Sequence, residues 1–209
     1  MHRSTSEPEG HKQQLISAFI LPLIGECSGD PALILSKISN SCQLHHVLKS
    51  QQLESPGRHE EGAVWFSIQA MAHSYCYNTV RNISLGTRIW KRREFMFNQL
   101  SLFKGDYRDE YIEMLEPGEV LSIPYGKLRQ LMEEIPEMEA YIQSLHLTAE
   151  HYFKRQYILV NDPPLQRVKK FEAENPLFCS VASNTIKAMH VCLSRQGYEL
   201  QLKQLKQGK

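Results

Sequence analysis

The sequence predicts an α+β chain: two opening helices, a small antiparallel β-roll, a long connecting helix and a small C-terminal helical domain. Three observations predict it. Apolar residues recur at helical spacing before residue 40; residues 43–125 break into short strand-like runs between Gly and Asn turns; after Pro124 a three- and four-residue apolar period returns and runs into Asn161-Asp162-Pro163-Pro164. At 209 residues the chain has room for one domain of about 130 residues and a smaller second one.

Residues 1–10 are polar and read as a disordered tail. From His11 to Ile24 the apolar positions Leu15, Ala18, Phe19 and Leu23 share a helix face, and a second helix is expected around Ala32 to Ser39 after a Gly/Ser/Asp break. The strand-like runs are Leu44–Leu48, Ala63–Gln69, His73–Tyr77, Thr87–Lys91, Tyr111–Met114 and Glu119–Ile123. Their spacing suits a roll or barrel, and residues 11–135 are assigned to that domain with its flanking helices. A long helix over 136–158 follows, with Met138, Ile142, Leu145, Ala149 and Tyr152 along one face. That face packs either on its own domain or on a second copy of the chain; the second reading makes it a homodimer helix. Paired prolines then bar helix and set a hinge, beyond which residues 166–209 form short helices joined by short turns.

Composition excludes several classes. With 42% hydrophobic and 22% charged residues the chain is neither disordered nor a coiled coil. Its longest apolar run is interrupted at Ser17 and Pro22, too short for a membrane span, and no secretory signal opens it, so a cytoplasmic location without membrane partners is expected. Cys27, Cys42, Cys76, Cys179 and Cys192 are odd in number and lack close pairs, which argues for free thiols. His45 and His46 are neighbours whose side chains face opposite ways on a strand, so no metal ligand set is read, and no hydrolase, P-loop or dinucleotide motif is present. Residues 159–209 carry eight Lys/Arg against four Asp/Glu, a net +4 on a mildly acidic body, which permits contact with double-stranded DNA.

The run from Ala63 to Tyr77 (AVWFSIQAMAHSYCY), with Arg88–Trp90, Glu94-Phe95, Glu110–Glu116 and Leu121–Ile123 in register, resembles the catabolite-activator (CRP/FNR) superfamily, and within it the Bacteroidetes-type branch. The resemblance spans about residues 14–205. It implies a cyclic-nucleotide-binding-like jelly roll, a dimerisation helix, a helix-turn-helix tail, and a dimeric, ligand-responsive transcriptional regulator that is not an enzyme. A cyclic nucleotide or another small effector would be its ligand.

In that superfamily a short helix and an Arg hold the cyclic phosphate while a Glu takes the ribose hydroxyl, because a guanidinium fork and helix N–H groups suit an oxyanion. The matching stretch is Phe97–Ile112, with Arg108 at the phosphate position and Asn98 near that of the Glu. Asp109 and Glu110 replace small residues there, so the cassette looks altered. Arg108 has two readings, a phosphate ligand or a surface Arg pairing with Asp106 or Asp109. Trp65, Trp90, Phe95 and Tyr111 are candidate pocket walls or core aromatics.

Val181–Lys203 aligns with the helix-turn-helix, with Ala188 as its small residue, Cys192 at the turn Gly and Ser194 as N-cap. Ser194, Arg195, Gln196, Lys203 and Lys206 are the DNA-contact candidates, and Lys169, Lys170 and Lys187 could meet the backbone. Leu200 and Leu202 stand where relatives tend to carry Arg, and Gly197 weakens the helix by about 1 kcal/mol, so the tail is expected to be degenerate. Two rival readings remain: a ligand-sensing or scaffold dimer that does not bind DNA, fed by those leucines, and a cupin-type metalloenzyme, for which the spaced H-x-H set is lacking.

Overall fold

The computed structural model describes residues 6–207. Of the segment expected to be a disordered tail, residues 1–5 lie outside the described residues, whereas residues 6–10 open helix α1, Ser6–Leu15. Glu9 explains that difference: its carboxylate takes Lys12 Nζ at 2.9 Å one turn on and the Ser39 hydroxyl at 2.7 Å, tying α1 to a segment thirty residues on. The helix continues through one π-turn, Ile16–Ile20, into α2, Leu21–Ile24. Helix α3, Pro31–Ser41, starts where Asp30 accepts the Ala32 N–H at 3.0 Å.

Among the described residues, eight strands make two four-stranded antiparallel sheets. β1 (Gln43–Val47), β8 (Gly118–Pro124), β3 (Ala63–Ser67) and β6 (Phe95–Met96) form one in that order. β2 (Gln52–Glu54), β7 (Tyr111–Met114), β4 (Ala72–Asn78) and β5 (Ile83–Trp90) form the other. Between β6 and β7 lies α4, Gln99–Lys104. Val47, Ala72, Trp90, Met96, Ile112, Met114 and Val120 close the roll's interior. β2 and β6 escape the sequence because strands of two or three residues show no alternation.

Helix α5, Tyr125–Glu134, leads through Ile135 into α6, Pro136–Asn161. The apolar face predicted to pair two copies is spent inside one chain. Met138, Ile142 and Ala149 are fully buried, the first two in the core shared by α1–α3, the first sheet and α5, with Leu145 packed against it. The Tyr152 oxygen takes the Ile89 N–H of β5 at 3.2 Å. What α6 leaves exposed is another face, bearing Leu147, Phe153, Tyr157 and Ile158. The mistake has a physical cause: a helix with two apolar faces shows the same period whichever one its own domain takes.

Beyond Asp162 come α7 (Pro164–Glu174), α8 (Pro176–Val181), α9 (Asn184–His190) and α10 (Arg195–Gln207). Asn175-Pro176, read as a break, opens α8 with Pro at its first position, where a missing N–H costs nothing. No helix among the described residues is long and apolar enough to cross a membrane.

The tail is packed onto the roll. One buried cluster joins Met71, Ile89 and Leu115 of the roll to Leu159 of α6 and to Val168, Phe171, Phe178, Ala188, Val191 and Tyr198 of the tail. At its centre His190 is completely buried, its Nε2 lying 3.3 Å from Nδ1 of His73 on β4, between Phe171 and Phe178. Gly86 of β5 makes room, since a Cβ there would stand 2.5 Å from the His190 ring. Gln156 of α6 donates to the His190 carbonyl at 2.5 Å. Only one N–H is used between the two rings, and His73 Nε2 and His190 Nδ1 are buried without a partner among the described residues.

Burial pushes His73 from 6.5 down to about 4, and burial together with His73 holds His190 well below 6.5. Both rings are therefore neutral in the fold at neutral pH. Between the folded and unfolded values the unfolded chain binds more protons, so stability is full above about 6.5 and drains as pH falls toward 4. The slope from each ring is at most about 1.4 kcal/mol per pH unit. Urea unfolding across that range is expected to show it, with His190→Leu losing one ring's share; equal slopes in both proteins would mean that the pair is not the source.

Candidate functional site

Arg108 is not the surface residue that its second reading made it. It is 6% exposed, and it pairs with Glu54 of β2 rather than with Asp106 or Asp109. Its Nε donates to the Arg58 carbonyl at 3.0 Å and its Nη2 lies 3.6 Å from Glu61. Backbone bonds of 2.8 and 3.0 Å bind Arg108 to Gly57 in both directions, and a Cβ on Gly57 would stand 2.6 Å from the guanidinium. Glu54 Oε1 also accepts Trp65 Nε1 at 2.7 Å and the Ala63 N–H at 3.1 Å. Burial pushes the Glu54 carboxyl up, while Trp65, Arg108 and Ala63 pull it down. The chain thus supplies from within itself the oxyanion that the resemblance assigned to a ligand.

The other cassette and wall residues are also committed. Asn98 caps α4, its Oδ1 accepting the Ser101 N–H at 3.0 Å while its Nδ2 donates to Asp109 at 3.0 Å. Trp65 is half-buried, bonded to Glu54 and tilted against His45. Trp90 is buried in the roll, with Nε1 donating to Ser74 Oγ at 2.6 Å. Phe95 packs on Phe66 at 4.7 Å, and Tyr111 stacks on Tyr75 at 4.9 Å. Trp65 packs against the roll-interior cluster that holds Trp90, whereas Phe95 belongs to the core beneath the helices. Among the described residues no three His, Cys, Asp or Glu side chains are disposed to hold a metal.

The open space lies elsewhere. A cleft of about 330 Å³ runs between β5, the second half of α6 and the end of α7, with Arg88, Lys91, Glu94, Tyr152, Arg155 and Asn175 on its walls. Arg88 is half-buried, its guanidinium carbon 3.9 Å from the Trp90 ring centre and 5.9 Å from that of Tyr152. Sequence reasoning passed over both Arg88 and Glu54. The signal for Arg88 was its place two residues before a buried Trp on a strand, which puts both on one face. Glu54 gave none, because β2 is too short to show which way its residues point.

In the tail, α9 and α10 meet through Val191–Ser194. Cys192 holds φ +52° at the position predicted for the turn Gly. Arg167 clamps this turn to the hinge, donating to the carbonyls of Val191 at 2.8 Å and Asp162 at 3.0 Å. Ser194 caps α10 by accepting the Gly197 N–H at 3.0 Å. Gln196, Lys203 and Lys206 are exposed, and Arg195 is bonded to Glu199 at 2.9 Å. Leu202 packs into the shared core, whereas Leu200 is 54% exposed on the stripe of Gln196 and Lys203. Lys187, a candidate for the DNA backbone, is buried and 3.6 Å from Glu172; Lys170 pairs with Asp162 at 2.8 Å.

No protein-family model and no curated protein sequence matches the chain. Solved structures do match. The c-di-GMP responsive global regulator CLP of Xanthomonas campestris superposes with a TM-score of 0.70 at 16% identity, over 85% of this chain and 92% of that one. A CRP/FNR-family transcriptional regulator from Thermus thermophilus gives 0.58 at 12% identity, over 79% and 87%. A mutant form of CooA from Carboxydothermus hydrogenoformans gives 0.62 at 11% identity, over 90% and 84%. The fold is that of the CRP/FNR transcriptional regulators, with a cyclic-nucleotide-binding-like roll and a helical tail.

Breaking a buried ion pair strands a charge, at a cost of about 3–5 kcal/mol. Arg108→Ala is expected to lose that much in urea unfolding, because Glu54 would stay buried without its cation. A loss under about 1 kcal/mol, the range of an exposed pair, would show that Arg108 is not a structural residue.

Proposed function

We propose that this protein is a transcriptional regulator that binds double-stranded DNA as a homodimer and answers to a small-molecule effector. The observation that carries the reading is the likeness to such regulators across roll, long helix and tail together, at 85% of the chain for CLP. Support comes from α9 and α10 themselves, two helices joined by a four-residue turn, with Gln196, Lys203 and Lys206 exposed on the second. The effector is a finer matter. CLP is described as c-di-GMP responsive, yet in this chain Glu54 fills the guanidinium of Arg108, so a cyclic phosphate has no free fork to meet there.

For the dimer, the occupant proposed for the exposed face of α6 is a second copy of the chain. Leu147 is 64% exposed and Tyr157 71%, with Phe153 and Ile158 about half so, on one helix of 26 residues. Apolar side chains left out together mark an interaction surface. A second reading, a dimer that senses without binding DNA, is favoured by two observations: Leu200 stands on the outer stripe of α10, and Glu199 takes the Arg195 guanidinium beside it.

Two measurements test these statements. Light scattering at micromolar concentration is expected to return twice the chain mass, and Leu147→Glu with Ile158→Glu to return the chain mass; a wild-type monomer would refute the pairing. In a mobility-shift assay at low salt, duplex DNA is expected to be retained, and Lys203→Ala and Lys206→Ala each to reduce the salt slope by about 1 where they meet phosphate. No retention of any duplex would leave the second reading.

A further inference from the structure

We propose that the cleft between β5, α6 and α7 is a binding site for a small organic anion, a carboxylate or phosphate carried on an apolar body. Arg88 carries the assignment. A guanidinium has five N–H donors and is expensive to withdraw from water unless an acceptor or a counter-charge meets it. Arg88 is half-buried on the Trp90 ring, and its guanidinium has neither a hydrogen bond nor an ion pair among the described residues. The other buried or bonded arginines differ: Arg108 has Glu54, Arg129 has the Leu102 carbonyl, Arg167 has three carbonyls and Arg195 has Glu199.

The two carboxylates on the cleft wall are held by other groups. Glu94 accepts the Lys91 N–H at 2.9 Å, and Glu174 of α7 lies 3.5 Å from Arg155 of α6. Glu94 and Glu110 act on Arg88 through space without bonding to it, and burial still lowers the guanidinium's pKa. With Lys91 and Arg155 also on the wall, three cationic side chains face two carboxylates.

The rest of the lining sets the ligand's body. Ile89, Leu159, Phe171 and the ring of Tyr152 are apolar, while Gln156 and Asn175 supply amides. About 330 Å³ lies at the small end of ligand pockets, which are mostly apolar with a few placed polar groups. An oxyanion on Arg88 would replace the acceptor the guanidinium lacks, as a bidentate charge-assisted pair. Because the walls belong to the roll, the long helix and the tail, an occupant would touch all three. The Arg155–Glu174 pair that bridges α6 and α7 stands where it would lie.

The test needs no DNA, so failure of the regulator reading and failure of this one are separable. Trp90 lies under Arg88, and in a Trp65→Phe background it is the chain's one tryptophan and reports through its contact with that guanidinium. Phenyl phosphate, benzoate and inorganic phosphate are titrated, with circular dichroism to confirm folding. Saturable fluorescence change with phenyl phosphate or benzoate is expected, and it separates the phosphate and carboxylate classes. Arg88→Gln should weaken binding by about tenfold or more, and Arg88→Lys should keep part of it. A wild-type protein silent to all three at millimolar concentration overturns the assignment. So does affinity unchanged in Arg88→Gln, and inorganic phosphate binding as tightly as phenyl phosphate overturns the apolar body.

Discussion

The apolar seam between β4–β5 and the tail helices is the constraint on which the rest of this structure depends. Met71, Ile89 and Leu115 would be an exposed hydrophobic patch on the outside of the roll if the tail were absent. Phe171, Phe178 and Tyr198 would lack a floor if the roll were absent. His190 marks the centre, and its fit against Gly86 leaves no slack for a side chain. An imidazole pair with two unpartnered nitrogens is a costly way to fill such a centre compared with two leucines. The chain keeps it at the end of α9, one residue before the turn that leads into α10.

The arginine the sequence singled out is closed off, and one it passed over stands open. Arg108 stands at the phosphate position of the resemblance and is sealed by Glu54, Arg58 and Gly57. Arg88, named only as part of a matching run, is left without an acceptor on the wall of an open cleft. Residue type at a motif position is therefore a weak guide when the partner that neutralises it comes from more than fifty residues away. Glu54 and Arg108 are such a pair, brought together because β2 lies beside β7.

Much of the fold was legible because it rests on local signals. The helical period after Pro124, the Pro163-Pro164 break and the alternation of Val64, Phe66 and Ile68 each fix an element without reference to the rest of the chain. Ser194 was legible as a cap for the same reason, its hydroxyl meeting an N–H three residues on. What was missed depends on distant partners. The direction of the α6 stripe, the fate of Lys187 and the committed roles of Asn98 and Trp90 are decided by which surfaces meet, and periodicity carries no record of that. The first turn of helix α1 lay inside the expected tail because its anchor, Ser39, is thirty residues downstream.

The shared core also limits how this protein can be taken apart. A linker of Asp162-Pro163 looks like a natural point at which to separate two modules, and in many two-domain chains each half would survive the cut. Here the cut would expose the apolar outer side of β4–β5 on one piece and the underside of α7, α8 and α10 on the other. Tail and roll are modular in sequence order and indivisible in their burial, so neither half can be exchanged for that of a relative without a matching seam.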